Sequence, residues 1–233
     1  MSNAAVAARS SAHLSIGEWV ASHWFAAFLV IYGLWVWLPW LAPLFMHIGW
    51  SEPGRDLYLV YSLFCHQLPE RSYFLFGRLP MYSLSQIQEA WESTINPMVL
   101  RTFIGNESMG WKIAWSNRMI SFYTSIWGLA LIWWPLRRKV KPLPWWGFAL
   151  LLLPIVLDGG THAISDFAGI GNGFRDSNQL LAVLTHGALP APFYVGDALG
   201  SFNSWVRLIT GLLAGSGIVW FAMPHAETSF AES

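Results

Sequence analysis

Four stretches of this 233-residue sequence are both free of Asp, Glu, Lys and Arg and predominantly apolar, and no other feature restricts the fold as much. A helix needs about 20 mostly apolar residues to cross a hydrocarbon core about 30 Å thick. The first stretch, residues 19–51, contains WFAAFLVIYGLWVWLPWLAPLF, with Pro39 and Pro43 placed to kink or end it at its far side. It is too long for the apolar region of a cleaved signal peptide, and no small-residue cleavage site follows it. The second and fourth, 119–136 and 208–226, are close to the minimum crossing length. The third, 142–157, has 16 residues, which at 1.5 Å each reach only about 24 Å. It therefore either ends early or continues through Asp158-Gly159-Gly160-Thr161-His162, which would set a carboxylate and an imidazole at the membrane surface.

Two weaker segments lie between these. Residues 57–69 (LYLVYSLFCHQLP) suit an interfacial or re-entrant helix, and residues 177–196, interrupted by Pro190 and Pro192, suit an interfacial helix up to about Leu189. Arg137-Arg138-Lys139-Val140-Lys141 puts four cations in the short connection between the second and third spans, which orients that loop to the cytoplasm. Both termini are then expected inside, with long segments 46–118 and 158–206 outside. The expected class is an all-α integral membrane protein of four transmembrane helices, with two long extracytoplasmic loops containing interfacial helices. The expected organisation is a loose cytoplasmic tail 1–18, one membrane domain 19–226 with spans near 19–45, 119–136, 143–164 and 206–224, and a loose tail 227–233.

Composition excludes several functions. Lys plus Arg and Asp plus Glu number 13 each, so no basic excess is available to hold a phosphate backbone, and nucleic acid is not an expected partner. The one cysteine cannot form an internal disulfide or a cysteine-rich zinc site. Many of the 16 tryptophans fall along or at the ends of the spans, where amphipathic rings anchor at the interface; a pigment or quinone pocket is the functional alternative.

The densest polar words all fall on the outer side: Cys65, His66, Gln67, Glu70 and Arg71; Arg118; Asp158 and His162; Asn203 and Arg207. Loops on one face of a bundle converge, so these residues are candidates for one ligand-binding or purely structural polar cluster. A metal site would draw on His66, Asp158, His162 and His186, with Cys65 as a further donor, and no set among them is selected. Asp158 and His162 share a face if the helix runs regularly through Gly159-Gly160. Cys65 as an activated thiolate with Arg118 steadying an oxyanion is a weaker possibility. For Glu70, Arg71 and Arg118 the plain alternative is a salt-bridge network that fixes the loops. Gly211 and Gly215 form a small-residue face for close helix packing. His23 is a candidate ring ligand or an ordinary interfacial histidine.

These words, in this order, resemble a family of small bacterial and archaeal membrane proteins filed as domain of unknown function 2085, over residues 58–215. The Cys-His-Gln-x-Pro-x-Arg-Ser word is matched at residues 65–72; Arg118 matches the centre of a Cys-x-Arg-Cys word, with Ser116 and Met119 at the cysteine positions. Asp158-Gly159 matches an Asp-Gly word, with His162 in the place of a Gln, and Arg207-Leu208-Ile209-Thr210-Gly211 matches an Arg-x-x-Thr-Gly word. The resemblance implies a four-span fold in the bacterial cytoplasmic membrane and no established activity. With two of three cysteines replaced, a thiol-pair mechanism lacks its partners. Two functions lead: a small accessory or cofactor-binding subunit of a larger, energy-transducing membrane complex, taking a quinone, a tetrapyrrole or a metal ion; or an enzyme acting on a lipid-linked substrate through Asp158 and His162, with transport a weaker third on the strength of Gly159-Gly160 alone.

Overall fold

The computed structural model describes residues 16–231. Residues 1–15 and 232–233, the outer parts of the two expected tails, lie outside the described residues. Helix α1 (Ile16–Trp37) leaves helical geometry at His23, and a 3-10 turn, Leu38–Trp40, carries Pro39 into α2 (Leu41–His47). Proline is tolerated there because the first turn of a new helix needs no N–H at that position. Beyond the membrane come α3 (Ser51–Tyr61), β1 (Ser72–Leu75), α4 (Leu84–Ala90), α5 (Pro97–Leu100), β2 (Gly105–Asn106) and β3 (Gly110–Ser116). The chain then crosses in α6 (Asn117–Leu136), returns in α7 (Trp145–Asp166), passes the short helices α8 (Phe174–Ser177), α9 (Gln179–Leu184) and α10 (Ala191–Tyr194), and crosses again in α11 (Phe202–Ala231).

Four segments among the described residues are long and apolar enough to span a membrane: Ala21–His47, Asn117–Leu136, Trp145–Asp166 and Phe202–Phe230. Their outer faces carry bare apolar side chains, including Ile31, Leu150, Val156 and Ile209, each more than half exposed. In water such surface would cost about 25 cal/mol per Å²; against lipid it costs nothing. The third span does not end early. Helix α7 runs unbroken through Gly159-Gly160 to Asp166, which places Asp158 and His162 on one face.

Within the membrane α6, α7 and α11 form the tightest unit. A Cβ added at Gly211 would lie 2.0 Å from Ser121 Oγ, and one at Gly215 would lie 1.9 Å from Ser125 Oγ. The small-residue face of α11 therefore meets α6 of the same chain. Ser121 Oγ donates to the Arg207 carbonyl at 3.0 Å across that contact, the close helix approach and interhelical hydrogen bonding that bind helices where no hydrophobic drive operates between them. Helix α1 packs more loosely, through Phe25 stacked on Trp134 and a cluster with Ile126, Trp133, Val219 and Met223.

The segment between the first and second spans holds an antiparallel sheet in the order β1-β3-β2 that the helical reading of the loops does not contain. Gly110 makes the pairing possible: its φ is +74°, and a Cβ there would lie 2.2 Å from the Leu75 carbonyl oxygen. The helix expected within 57–69 lies earlier, at α3, because Cys65 to Gln67 turn away, with Gln67 at φ 51°. Two apolar clusters, one around Trp115, Tyr58 and Tyr61 and one around Phe74, Tyr82, Ile87 and Phe103, make this segment a packed cap. Strand β3 passes directly into α6 at Ser116-Asn117, so the sheet fixes where the second span begins.

Candidate functional site

The spans bring their charged ends together beneath the cap. Arg118 stands in the first turn of α6, Arg207 in the second turn of α11, and Asp158, His162 and Asp166 lie four residues apart along one face of α7. The 3-10 turn Pro69–Arg71 delivers Glu70 and Arg71 from above.

Asp197, in the loop before α11, is the hub. Its Oδ2 accepts from Arg71 Nε at 2.7 Å and its Oδ1 from Arg207 Nη2 at 2.7 Å. Burial pushes this carboxyl up, but Arg207 and Arg71 outweigh burial and hold it well below the usual carboxylate range. Arg71 also grips Asp166 with both terminal nitrogens, at 2.6 and 2.7 Å, a bidentate pairing that fixes orientation as well as charge. Asp158 accepts from Arg118 Nη2 at 2.8 Å and from Arg175 Nη2 at 3.0 Å. His162 joins the two halves: its Nδ1 is 3.2 Å from Asp158 Oδ1, and its Nε2 is 3.7 Å from Asp197 Oδ1.

The candidates from the sequence therefore divide. Arg71, Arg118, Asp158, His162 and Arg207 belong to one ionic network, and Glu70 touches it through Arg71 Nε at 3.6 Å. His66 faces the same arginines from an open side. The residue is exposed, and partial enclosure by protein and then the charges of Arg71, Arg118 and Arg207 act to lower its pKa. Cys65 and Gln67 are structural neighbours instead. Cys65 Sγ accepts from the backbone N–H groups of Gln67 and Ser116, each at 3.4 Å, and Gln67 Nε2 donates to the carbonyls of Tyr58 and Ala114. His186 sits apart on an exposed turn. Among the described residues no group of three or more His, Cys, Asp or Glu side chains is placed to hold a metal ion. His23 stacks on Trp19 at 4.8 Å, and its Nδ1 lies 3.0 Å from the Trp19 carbonyl oxygen.

Four participants have no counterpart in the sequence reading. Asp166 continues the Asp158–His162 face by another four residues, a spacing that marks it once α7 is known to extend so far. Asp197 comes from a loop and Arg175 from the four-residue helix α8, too short for its spacing to carry such a signal. Lys112 is fully buried in β3, where its Nζ donates to the carbonyls of Gln67 and Arg101, each at 2.7 Å. Burial pushes this ammonium down to about 7 against the pull of Glu70. Asn203, singled out beforehand, is also fully buried and donates to the carbonyls of Arg175 and Gly196, tying the segment between α7 and α11 to the head of α11.

Residues 98–221, more than half of the chain, match the family model described as predicted membrane protein, DUF2085. The chain belongs to this family. The matched segment holds Arg118, Asp158 and Arg207, while the Cys65–Ser72 word precedes it. The DUF2085 chain is also similar to the uncharacterized protein MJ1492 of Methanocaldococcus jannaschii, at 26% identity over 193 residues that cover 79% of this chain and 80% of the relative. No solved structure gives a significant match to this DUF2085 protein. The family description names no activity, so a functional reading rests on the geometry above.

Proposed function

We propose that this membrane protein is a non-catalytic subunit of a larger membrane assembly, presenting a rigid polar cap on the extracytoplasmic face as a docking or cofactor surface. One observation carries the reading: every aspartate of the ionic network is already engaged by guanidinium groups, Asp158 by Arg118 and Arg175, Asp166 by Arg71, and Asp197 by Arg71 and Arg207. A general base needs a basic lone pair facing substrate, whereas both oxygens of each of these carboxylates already accept from a guanidinium, which lowers their basicity. Cys65 is buried and holds two backbone donors, which disfavours a nucleophile. Purification in mild detergent from the native membrane, followed by an absorption spectrum and mass spectrometry, tests this. Stoichiometric partner polypeptides, or a bound quinone or tetrapyrrole, are the expected result. A lone, colourless monomer overturns the reading.

The enzymatic alternative, acting on a lipid-linked substrate, has one observation in its favour: His162 Nε2 has no hydrogen-bond partner among the described residues, while Nδ1 lies 3.2 Å from the Asp158 carboxylate and 3.0 Å from the Asp158 carbonyl oxygen. That is the arrangement of a histidine base held by a carboxylate, although His162 is only 2% exposed. Asp158→Asn separates the readings. Unchanged yield of folded protein with loss of an activity measured on native membranes favours the enzyme. Loss of folded yield favours a structural pair, as expected when one partner of a buried ion pair is removed.

A further inference from the structure

A cavity of about 270 Å³ lies beside Asp197, between the α4 end of the cap and the loops around Gly171 and Gly196. Its walls carry Glu70, Asp176 and Asp197, with Ser83, Ser85 and Gln88 across from them and Leu84, Ile170 and Val195 as an apolar side. Asp197 is neutralised by its two arginines. Glu70 is not: it is 2% exposed, and neither carboxylate oxygen has a hydrogen-bond partner among the described residues. Among the described residues the one cation within 4 Å, Arg71, is 3.6 Å away at Nε and already serves Asp166 and Asp197. A buried carboxylate left without donors is costly, and one on the wall of a cavity is a place for a positively charged guest.

We propose that this cavity is a binding site for a small organic ammonium ion, with Glu70 as its counter-charge. Size and lining select the class. The volume is near the small end of the roughly 300–1,000 Å³ usual for ligand sites, far more than a bare metal ion fills. The carboxylates lack the third close ligand that a metal needs, whereas Leu84, Ile170 and Val195 offer contact to a short hydrocarbon body. Asp176 adds a second negative group, its Oδ2 held by the Gly173 N–H at 2.9 Å. The site is separate from the subunit reading and stands without it.

Protonation of Glu70 competes with the guest. Burial pushes this carboxyl up to about 7, partly offset by Arg71, while Asp197 raises it and Arg207 lowers it; Lys112 is the further charged neighbour. An ammonium ion entering the cavity displaces the proton, so affinity rises as pH climbs through 7 and levels off above it.

The test is calorimetric titration of the full chain, in nanodiscs of zwitterionic lipid with empty discs as reference, using n-butylammonium, n-butanol, butyrate and calcium. The expected result is saturable binding of n-butylammonium alone, at least tenfold tighter at pH 8 than at pH 5.5, with proton release near pH 6.5. Glu70→Gln should weaken it at least tenfold and remove the pH dependence. Ser85→Trp, which fills the mouth from an exposed position, should abolish it with the fold intact. Equal binding of n-butanol, binding indifferent to Glu70→Gln, preference for calcium, or no binding by any probe each overturns the proposal.

Discussion

Glu70 makes the protein less stable at neutral pH than an uncharged residue would, and the sign follows from its environment. Its folded-state value is raised to about 7 from an ordinary 4.5. Between those values the folded chain holds a proton that the unfolded chain has released, so stability falls as pH rises from 4.5 to 7. Lys112 works oppositely in the next window. Its folded-state value is lowered to about 7, so the unfolded chain binds more protons between 7 and about 10, and stability rises with pH there. Thermal unfolding of Glu70→Gln in detergent at pH 5 and pH 8 isolates the carboxylate. The variant should match the parent at pH 5 and gain on the order of 1–3 kcal/mol at pH 8; equal effects at the two pH values would mean that Glu70 is paired in solution. A residue that weakens its own fold at working pH is better explained by what it holds than by what it supports.

Helix α11 and its glycines show how the bilayer reshapes packing rules. Gly211 meets Ser121 Oγ at 2.0 Å from an added Cβ, whereas an added Cβ at Gly160 of α7 meets nothing within 4 Å. Gly211→Ala should therefore cost about 1–3 kcal/mol by overpacking, and Gly160→Ala should stabilise by about 0.5–1 kcal/mol through helix propensity. Removing the clashing oxygen with Ser121→Ala should recover part of the Gly211→Ala loss, read as a shift in the detergent melting temperature. The spans and this glycine face were legible in the sequence because a bilayer demands about 20 charge-free residues and small residues at close contacts. The sheet was not. Strand β1 has four residues, its partner β3 lies some 40 positions away, and Lys112, on the face opposite Trp111, Ile113 and Trp115, reads as a solvent-facing residue although it is buried. Of the polar network, residues fixed to span ends were visible as words, whereas Asp197 is placed by tertiary folding of a loop, which no local period reports.

For the whole molecule the decisive asymmetry is between the two membrane faces. One face gathers the ionic network and the cap; the other has the short connection with Arg137, Arg138, Lys139 and Lys141, where Arg137 pairs with Glu227 of α11 at 3.1 Å and lies over the Trp134 ring. The cationic connection is short enough to obey the bias of Lys and Arg towards the cytoplasm, whereas segments as long as 46–118 and 158–206 translocate largely regardless of their charges. The orientation proposed from this is cap outside and the 137–141 connection inside. The single cysteine makes it measurable, since Cys65 is buried and replaceable by serine to give a cysteine-free chain. In that background, cysteines placed singly at the exposed positions Lys139 and Glu92 should respond oppositely to a membrane-impermeant thiol reagent in intact cells. Glu92→Cys should be labelled at once, and Lys139→Cys only after the membrane is opened. The reverse pattern would place the ionic network on the cytoplasmic face, and the cavity at Glu70 would then draw its guest from the cell interior. Labelling of both positions in intact cells would mean that the four apolar helices do not all cross.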